Sequence, residues 1–177
     1  MLNKITLFTA SLFAVSALAE ATTHGNTAKM SDDQVVQVLL TIDEADVSAG
    51  KLAEKRAQSA PVKEFAQMMI TEHEAHIKET KKIAKDNNLD ADKSDTSKAL
   101  KDEAKNLIQA LEKNEDRDFD RAYLTQQINM HDKALKLIDE QLLPVIEDAD
   151  LKAFVTRTRA AVAAHLARAQ ELIKSVR

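Results

Sequence analysis

The sequence predicts an all-α protein built as a four-helix bundle. Gly and Pro number only 2 each, and aromatic residues make up 3% of the chain, so there is little turn or sheet material. Ala, Leu, Lys, Glu and Asp dominate, as is typical of long helices. Apolar residues recur at helical spacing in four long segments and one short segment. Because each long helix has one apolar stripe to bury, a bundle is the simplest arrangement.

Local signals define the predicted helices in order. Ser31-Asp32-Asp33-Gln34 reads as a capping box, and the first helix runs from there to about Gln58. Pro61 then starts a second helix that ends near Asn87. The remaining elements are a polar connector over 88–96, a short helix with Leu100 to Leu111 on one side, a fourth helix from Phe119 that Pro144 stops, and a fifth helix capped by Asp148.

The short helix sets the predicted topology. About 18 helical residues cover roughly 27 Å, enough to return the chain along the bundle. The second and fourth helices would then run parallel. Two hairpins joined by such a crossover helix form the ferritin-like arrangement.

The first nineteen residues have the pattern of a secretory signal peptide. Lys4 precedes a short apolar stretch, and Ala17-Leu18-Ala19 offers a cleavage site after Ala19. We therefore expect a signal peptide over 1–19, a flexible leader over 20–30 and the bundle domain over 31–176. An uncleaved anchor is the alternative. The apolar stretch is shorter than the roughly 20 residues that span a bilayer, so we expect a periplasmic or otherwise exported protein.

Composition argues against several function classes. A formal charge of −4 disfavours nucleic acid as a partner, because phosphate binding needs a basic surface. Without cysteine the chain has neither disulfides nor thiolate ligands. We also find no Ser/His/Asp arrangement for a nucleophile and no Gly-rich loop for a phosphate. These observations favour a binding protein over an enzyme.

Each long helix nevertheless has an ionisable residue on its apolar stripe. On helical wheels these are Asp46, His73, His131 and His165. Burying such groups without partners costs several kcal/mol, so they should meet each other, water or a metal. Glu72, His76 and Asp120 lie nearby on the same helices and form a second tier of candidates.

The positions of these residues along the helix axes fit a shared site better in the first hairpin than in the second. Asp46 and His73 lie at nearly equal distances from the turn between their helices, which places them at one level. His131 and His165 differ by six residues, roughly 9 Å of helical rise. Two alternatives follow: His165 approaches Tyr123, Gln127 or Asp120 instead, or a stagger between the two helices closes the gap.

Two interpretations of these residues stay open. Neutral imidazoles with one carboxylate suit a mononuclear Zn, Fe or Cu site. The alternative is a polar hydrogen-bonded layer that fixes the register of the bundle.

Several segments resemble a bacterial domain-of-unknown-function family of small exported ferritin-like proteins, often labelled periplasmic or outer-membrane. The resemblance covers about Ser31 to Leu172. Its segments are 43–53, 62–73, 119–124 with His131, and His165-Leu166. It implies the fold and the export but no activity. Asp46 stands where that family usually has Glu, which shortens the reach of the carboxylate.

Three functions follow as hypotheses. The first is a periplasmic metal-binding protein in metal homeostasis or envelope stress, and the second is a non-enzymatic envelope or stress protein with a structural His layer. The third is a metal-dependent oxidoreductase, which would need an open coordination position and a substrate-sized cleft. No Glu stands three residues before any of the core histidines, which argues against a di-iron ferroxidase. A homo-oligomer or an envelope partner stays open.

Overall fold

The computed structural model describes residues 29–176, with the backbone alone at Arg117, and this part of the chain is all-helical. The prediction of an all-α protein is confirmed, whereas the signal peptide and most of the leader lie outside the described residues. The helices are α1 (Asp32–Arg56), α2 (Ala60–Asp86), α3 (Asp95–Glu112), α4 (Asp116–Leu137), which continues as a π-helical segment (Ile138–Leu142), and α5 (Ala149–Leu172).

Helix starts follow the local signals in the sequence. The backbone N–H of Gln34 donates to the Ser31 hydroxyl, and the Gln34 side chain accepts from the Ser31 N–H, so the capping box is present. Asp148 caps α5 by accepting a 2.8 Å hydrogen bond from the N–H of Leu151. These caps satisfy backbone donors that the first turn of a helix leaves free.

Contacts at the helix ends establish the directions of the helices. Arg56, at the end of α1, donates to the carbonyls of Leu111 and Asn114 at the end of α3. Asp32, at the start of α1, accepts from the N–H of Asp148 at the start of α5. Thus α1, α3 and α5 begin at one end of the molecule, and α2 and α4 begin at the other.

The closest helix pair is α1 with α2. A Cβ on Gly50 of α1 would lie 2.9 Å from Cγ1 of Ile70 and 3.2 Å from the carbonyl oxygen of Ala66. Glycine therefore permits the two backbones to approach. Helix α5 packs mainly against α4, and α3 packs mainly against α1.

The buried apolar residues form two clusters with a polar layer between them. One cluster includes Leu40 and Leu137, and the other includes Ala49 and Leu124. Along every long helix, at least one buried ionisable residue falls between members of the two clusters: Asp43 and Asp46 in α1, His73 in α2, His131 in α4 and His165 in α5. Asp120 of α4 is also buried but lies within the second cluster. The core is therefore interrupted by one polar layer, which is where the site lies.

Within residues 29–176, no helix combines the length and the apolar character needed to cross a bilayer.

Candidate metal centre

Three histidines from three helices meet in the polar layer. His73, His131 and His165 are only 2%, 2% and 3% exposed. Their ring centroids are 5.9 Å apart for His73 and His131, 5.5 Å for His73 and His165, and 5.3 Å for His131 and His165. The rings thus form a nearly equilateral triangle in the interior.

Each of the three rings has one nitrogen bound to an acceptor. Nδ1 of His73 lies 2.7 Å from Oδ1 of Asp43, and Nδ1 of His131 lies 2.9 Å from the carbonyl oxygen of Gln127. Nε2 of His165 lies 2.7 Å from Oε2 of Glu72. Because a carbonyl oxygen only accepts, the proton of neutral His131 is on Nδ1, and Nε2 keeps its lone pair.

The second nitrogen of each ring is buried without a hydrogen-bond partner. These atoms are Nε2 of His73, Nε2 of His131 and Nδ1 of His165. A buried polar atom without a partner costs about 1–3 kcal/mol, and three in one layer require an explanation. One nitrogen anchored by an acceptor and the other available is the pattern of metal-binding histidines.

The spacing of the rings fits a metal ion. Each ring offers one nitrogen, and these nitrogens lie within 4.8 Å of one another. With metal–nitrogen bonds of about 2.0–2.1 Å and tetrahedral angles, three coordinated imidazoles have centroids about 5 Å apart. The observed triangle is slightly wider, so small side-chain movements would complete the coordination.

Asp46 supplies a carboxylate beside this triangle. It is 2% exposed, and its Oδ2 lies 3.8 Å from Nε2 of His73. The side-chain amide of Gln127 donates a 3.1 Å hydrogen bond to Oδ1 of Asp46, which orients the carboxylate. The sequence-based expectation that Asp46 and His73 share one level is confirmed.

The charges in the layer act differently on the three histidines. Burial lowers the pKa of His73, but the charge of Asp46 and the hydrogen bond and charge of Asp43 outweigh it, so the pKa is raised. Burial lowers the pKa of His131 and of His165. His131 and His165 are therefore held as neutral imidazoles, the form that binds a metal.

The structure corrects the expected separation of His131 and His165. Their rings are in contact, and Tyr123, an alternative neighbour of His165, packs instead between the rings of Phe65 and Phe119. Counting residues from the helix ends assumed that the two helices end level. Because the two rings are 5.3 Å apart, α5 must be staggered along α4 relative to that count.

Asp120 is not among the residues that the structure brings together. Its carboxylate accepts hydrogen bonds from the N–H groups of Gln58 (2.9 Å) and Ser59 (2.7 Å), in the turn between α1 and α2. It lies eleven residues from His131 on the same helix, roughly 16 Å along the axis. Its predicted place as a second-tier ligand is not supported, because a carboxylate on an apolar stripe can also serve the backbone.

Of the other second-tier residues, Glu72 anchors His165 and His76 forms part of a neighbouring group. His76, His73 and Asp43 offer ligand atoms within 4.8 Å of one another, and Nδ1 of His76 is buried without a partner. Sequence reasoning did not select Asp43 as a site residue. Its position three residues before Asp46, on the same face of α1, was the available signal.

A family model matches residues 17–172 of this chain, described as a domain of unknown function, DUF4142. The chain belongs to the DUF4142 family. The match spans all four helices that supply the candidate ligands and their anchors. No curated protein and no solved structure shows significant similarity to the chain. Membership in DUF4142 thus assigns a family but no activity, and the function has to be argued from the site.

Proposed function

We propose that this protein is an exported, periplasmic metal-binding protein with a ferritin-like four-helix bundle, acting in metal homeostasis or envelope stress. His73, His131 and His165 hold a single transition-metal ion, with Asp46 as the fourth ligand. The signal-peptide pattern of residues 1–19 supports the export, and the two hairpins around a crossover helix support the ferritin-like arrangement.

One observation carries the metal assignment. Three buried imidazoles from separate helices each have one nitrogen anchored by an acceptor, while the other nitrogen has no partner. A purely structural polar layer should satisfy its members, because each unsatisfied buried atom is destabilising. A metal ion would pair all three free nitrogens at once.

The ligand set suits Zn, Fe or Cu in a mononuclear site. Imidazole binds all three metals, and one carboxylate with three imidazoles is compatible with each. A di-iron centre built on Glu-x-x-His pairs is not proposed, because that spacing is missing at all core histidines. When bound, the metal supplies a Lewis acid or a redox centre, and the chain positions it.

The test is elemental analysis of the protein purified from the periplasm, next to a His73→Ala/His131→Ala double variant. A Thr71→Ala/Thr125→Ala double variant, changed on exposed positions of the same helices, is the matched control. We expect about one metal ion per chain in the wild type and the control and none in the histidine variant.

The opposite result would support the second candidate function, a structural His layer in an envelope or stress protein. Equal metal content in wild type and histidine variant would show that the bound metal lies elsewhere. Absence of metal in every sample, with a melting temperature that does not respond to a chelator, would leave only the structural layer.

A further inference from the structure

A cavity of about 50 Å³ adjoins the candidate metal centre between α1, α3 and α4. Asp46, His73 and His131 form its inner wall, and its other walls are mainly apolar, with Ile42, Leu107 and Val162 among them. The sequence hypothesis of a metal-dependent oxidoreductase requires an open coordination position and a substrate-sized cleft. This cavity has room for only a very small molecule.

Its size limits what can enter. A single water needs about 10–15 Å³ of such space, and an engineered apolar cavity of about 150 Å³ accommodates benzene. The observed volume therefore fits a molecule of two or three heavy atoms and excludes an aromatic ring or a sugar.

Its walls limit the chemistry further. An ion entering a mainly apolar cavity would lose its hydration and find few groups to replace it. A small neutral molecule loses little hydration on entry. The polar atoms of the inner wall include buried ring nitrogens of His73 and His131 that have no partner.

Helix α3 covers the cavity from the outside. Ala104 contributes a small side chain to the lining, and Glu103 of α3 forms an ion pair with Lys133 of α4 at the partly exposed rim. Helix α3 packs mainly on α1 and less on α4, so the cavity is less tightly covered on the side between α3 and α4.

We propose that a small neutral diatomic molecule, of the dioxygen and nitric oxide class, passes through this cavity to an open coordination position of the metal. The inference rests on the proposed metal site and adds its ligand. Three imidazoles and one carboxylate leave room for a further ligand on iron, and the cavity opens on the wall formed by two of the imidazoles.

The first experiment tests the cavity without reference to the metal. Xenon binds apolar cavities, so wild-type protein as purified should shift the ¹²⁹Xe NMR signal in a saturable way. Ala104→Leu should abolish this shift, whereas Ala110→Leu, the same change at an exposed position of α3, should preserve it. A shift that persists in Ala104→Leu, or none in the wild type, would overturn the proposal.

The second experiment tests access to the metal. Protein loaded anaerobically with Fe(II) is mixed rapidly with nitric oxide, and the growth of the iron–nitrosyl EPR signal is followed over time. We expect stoichiometric binding in the wild type and in Ala110→Leu, and formation of the signal slower by about tenfold or more in Ala104→Leu at equal iron content.

The metal site and the route of the diatomic ligand are tested separately. If no metal ion, iron included, is taken up, the proposed function fails. If iron binds but nitric oxide gives no signal, or binds both variants at the same rate, the metal site stands and only the diatomic ligand and its route are wrong. Equal circular dichroism and melting curves for the two variants establish that the Ala104 effect is local.

Discussion

Two buried polar regions of this protein, the Asp120 turn and the histidine layer, look alike in sequence and differ in structure. Both place ionisable side chains on an apolar stripe. Both oxygens of Asp120 accept backbone N–H groups in the turn between α1 and α2. In the histidine layer, every ring has one anchored nitrogen and one without a partner.

The comparison shows that burial alone does not identify a functional group. Each carboxylate oxygen of Asp120 accepts a backbone N–H, so its role is to hold the turn. The three histidines each keep one nitrogen without a hydrogen-bond partner, and their ring centroids lie within 5.9 Å of one another. The two regions differ in whether buried ring nitrogens lack a hydrogen-bond partner, and not in whether the core contains a charge.

The largest expected effect comes from removing the metal. A ligand present at about 1,000 times its dissociation constant stabilises the folded state by about 4 kcal/mol. For a domain of this size that corresponds to about 8–16 °C in melting temperature. Calorimetry before and after chelation measures it, and an Asp120→Ala variant should lose the same increment. Identical melting curves with and without chelator would show that the histidine layer, like the Asp120 turn, gains no stability from a metal.

Next in size is the effect of the acceptors that anchor the rings. Asp43→Asn should weaken metal affinity by about 10- to 100-fold, because the carboxylate orients His73 and increases its basicity. Glu72→Gln is the matched change at His165, and we expect a smaller loss since the Glu72 side chain is 43% exposed. Competition with a chromophoric chelator measures both, and equal losses would contradict the importance of burial.

Acid should release the metal through His73 first. A neutral imidazole is needed for binding. Although burial lowers the pKa of His73, the charges of Asp46 and Asp43 raise it above its usual value, so His73 takes up a proton before the other two rings as the pH falls. The lowered pKa values of His131 and His165 keep those rings neutral to lower pH. Affinity should thus be weaker at pH 5 than at neutral pH by about tenfold or more, because one proton competes with the metal for His73.

The slope of this acid effect sharpens the test. If His73 alone is protonated, the logarithm of the affinity falls by about one per pH unit. A slope near three, measured by the same competition assay between pH 7 and pH 5, would mean that all three rings titrate together and that the layer is open to water.

The smallest effect concerns Asp120. Asp120→Ala should destabilise the protein by about 1–2 kcal/mol, as for the loss of a helix cap, because two backbone N–H groups lose their acceptor. Urea denaturation measures this, and metal content should stay at the wild-type value. A loss of metal in a folded Asp120→Ala variant would return this residue to the site.

The side of each helix on which the site residues lie could be predicted from the sequence. Helical periodicity places Asp46, His73, His131 and His165 on buried stripes, and the structure buries all four. The caps at Ser31 and Asp148 were also predictable, since they depend on neighbours three residues apart. Periodicity and capping are short-range effects, so they depend only on residues that are close together in the sequence.

The relative positions of the site residues along the helix axes could not be predicted. Sequence counting separated His131 from His165, yet their rings lie 5.3 Å apart because α5 is displaced along α4. It also placed Asp120 near the ligands, whereas its carboxylate is hydrogen-bonded to backbone N–H groups in the turn between α1 and α2. Both outcomes depend on how far one helix slides along another, which packing over the whole core decides.

The sequence by itself determined that the protein is helical, where α1, α2 and α5 begin, and that Asp46, His73, His131 and His165 lie on buried stripes. Only the tertiary structure decided that three imidazoles converge, that Asp43, Gln127 and Glu72 anchor them, and that a small apolar cavity reaches them. The physical reason is range: hydrogen bonds within a turn and the period of a helix are local, whereas convergence and empty space arise from contacts between distant segments.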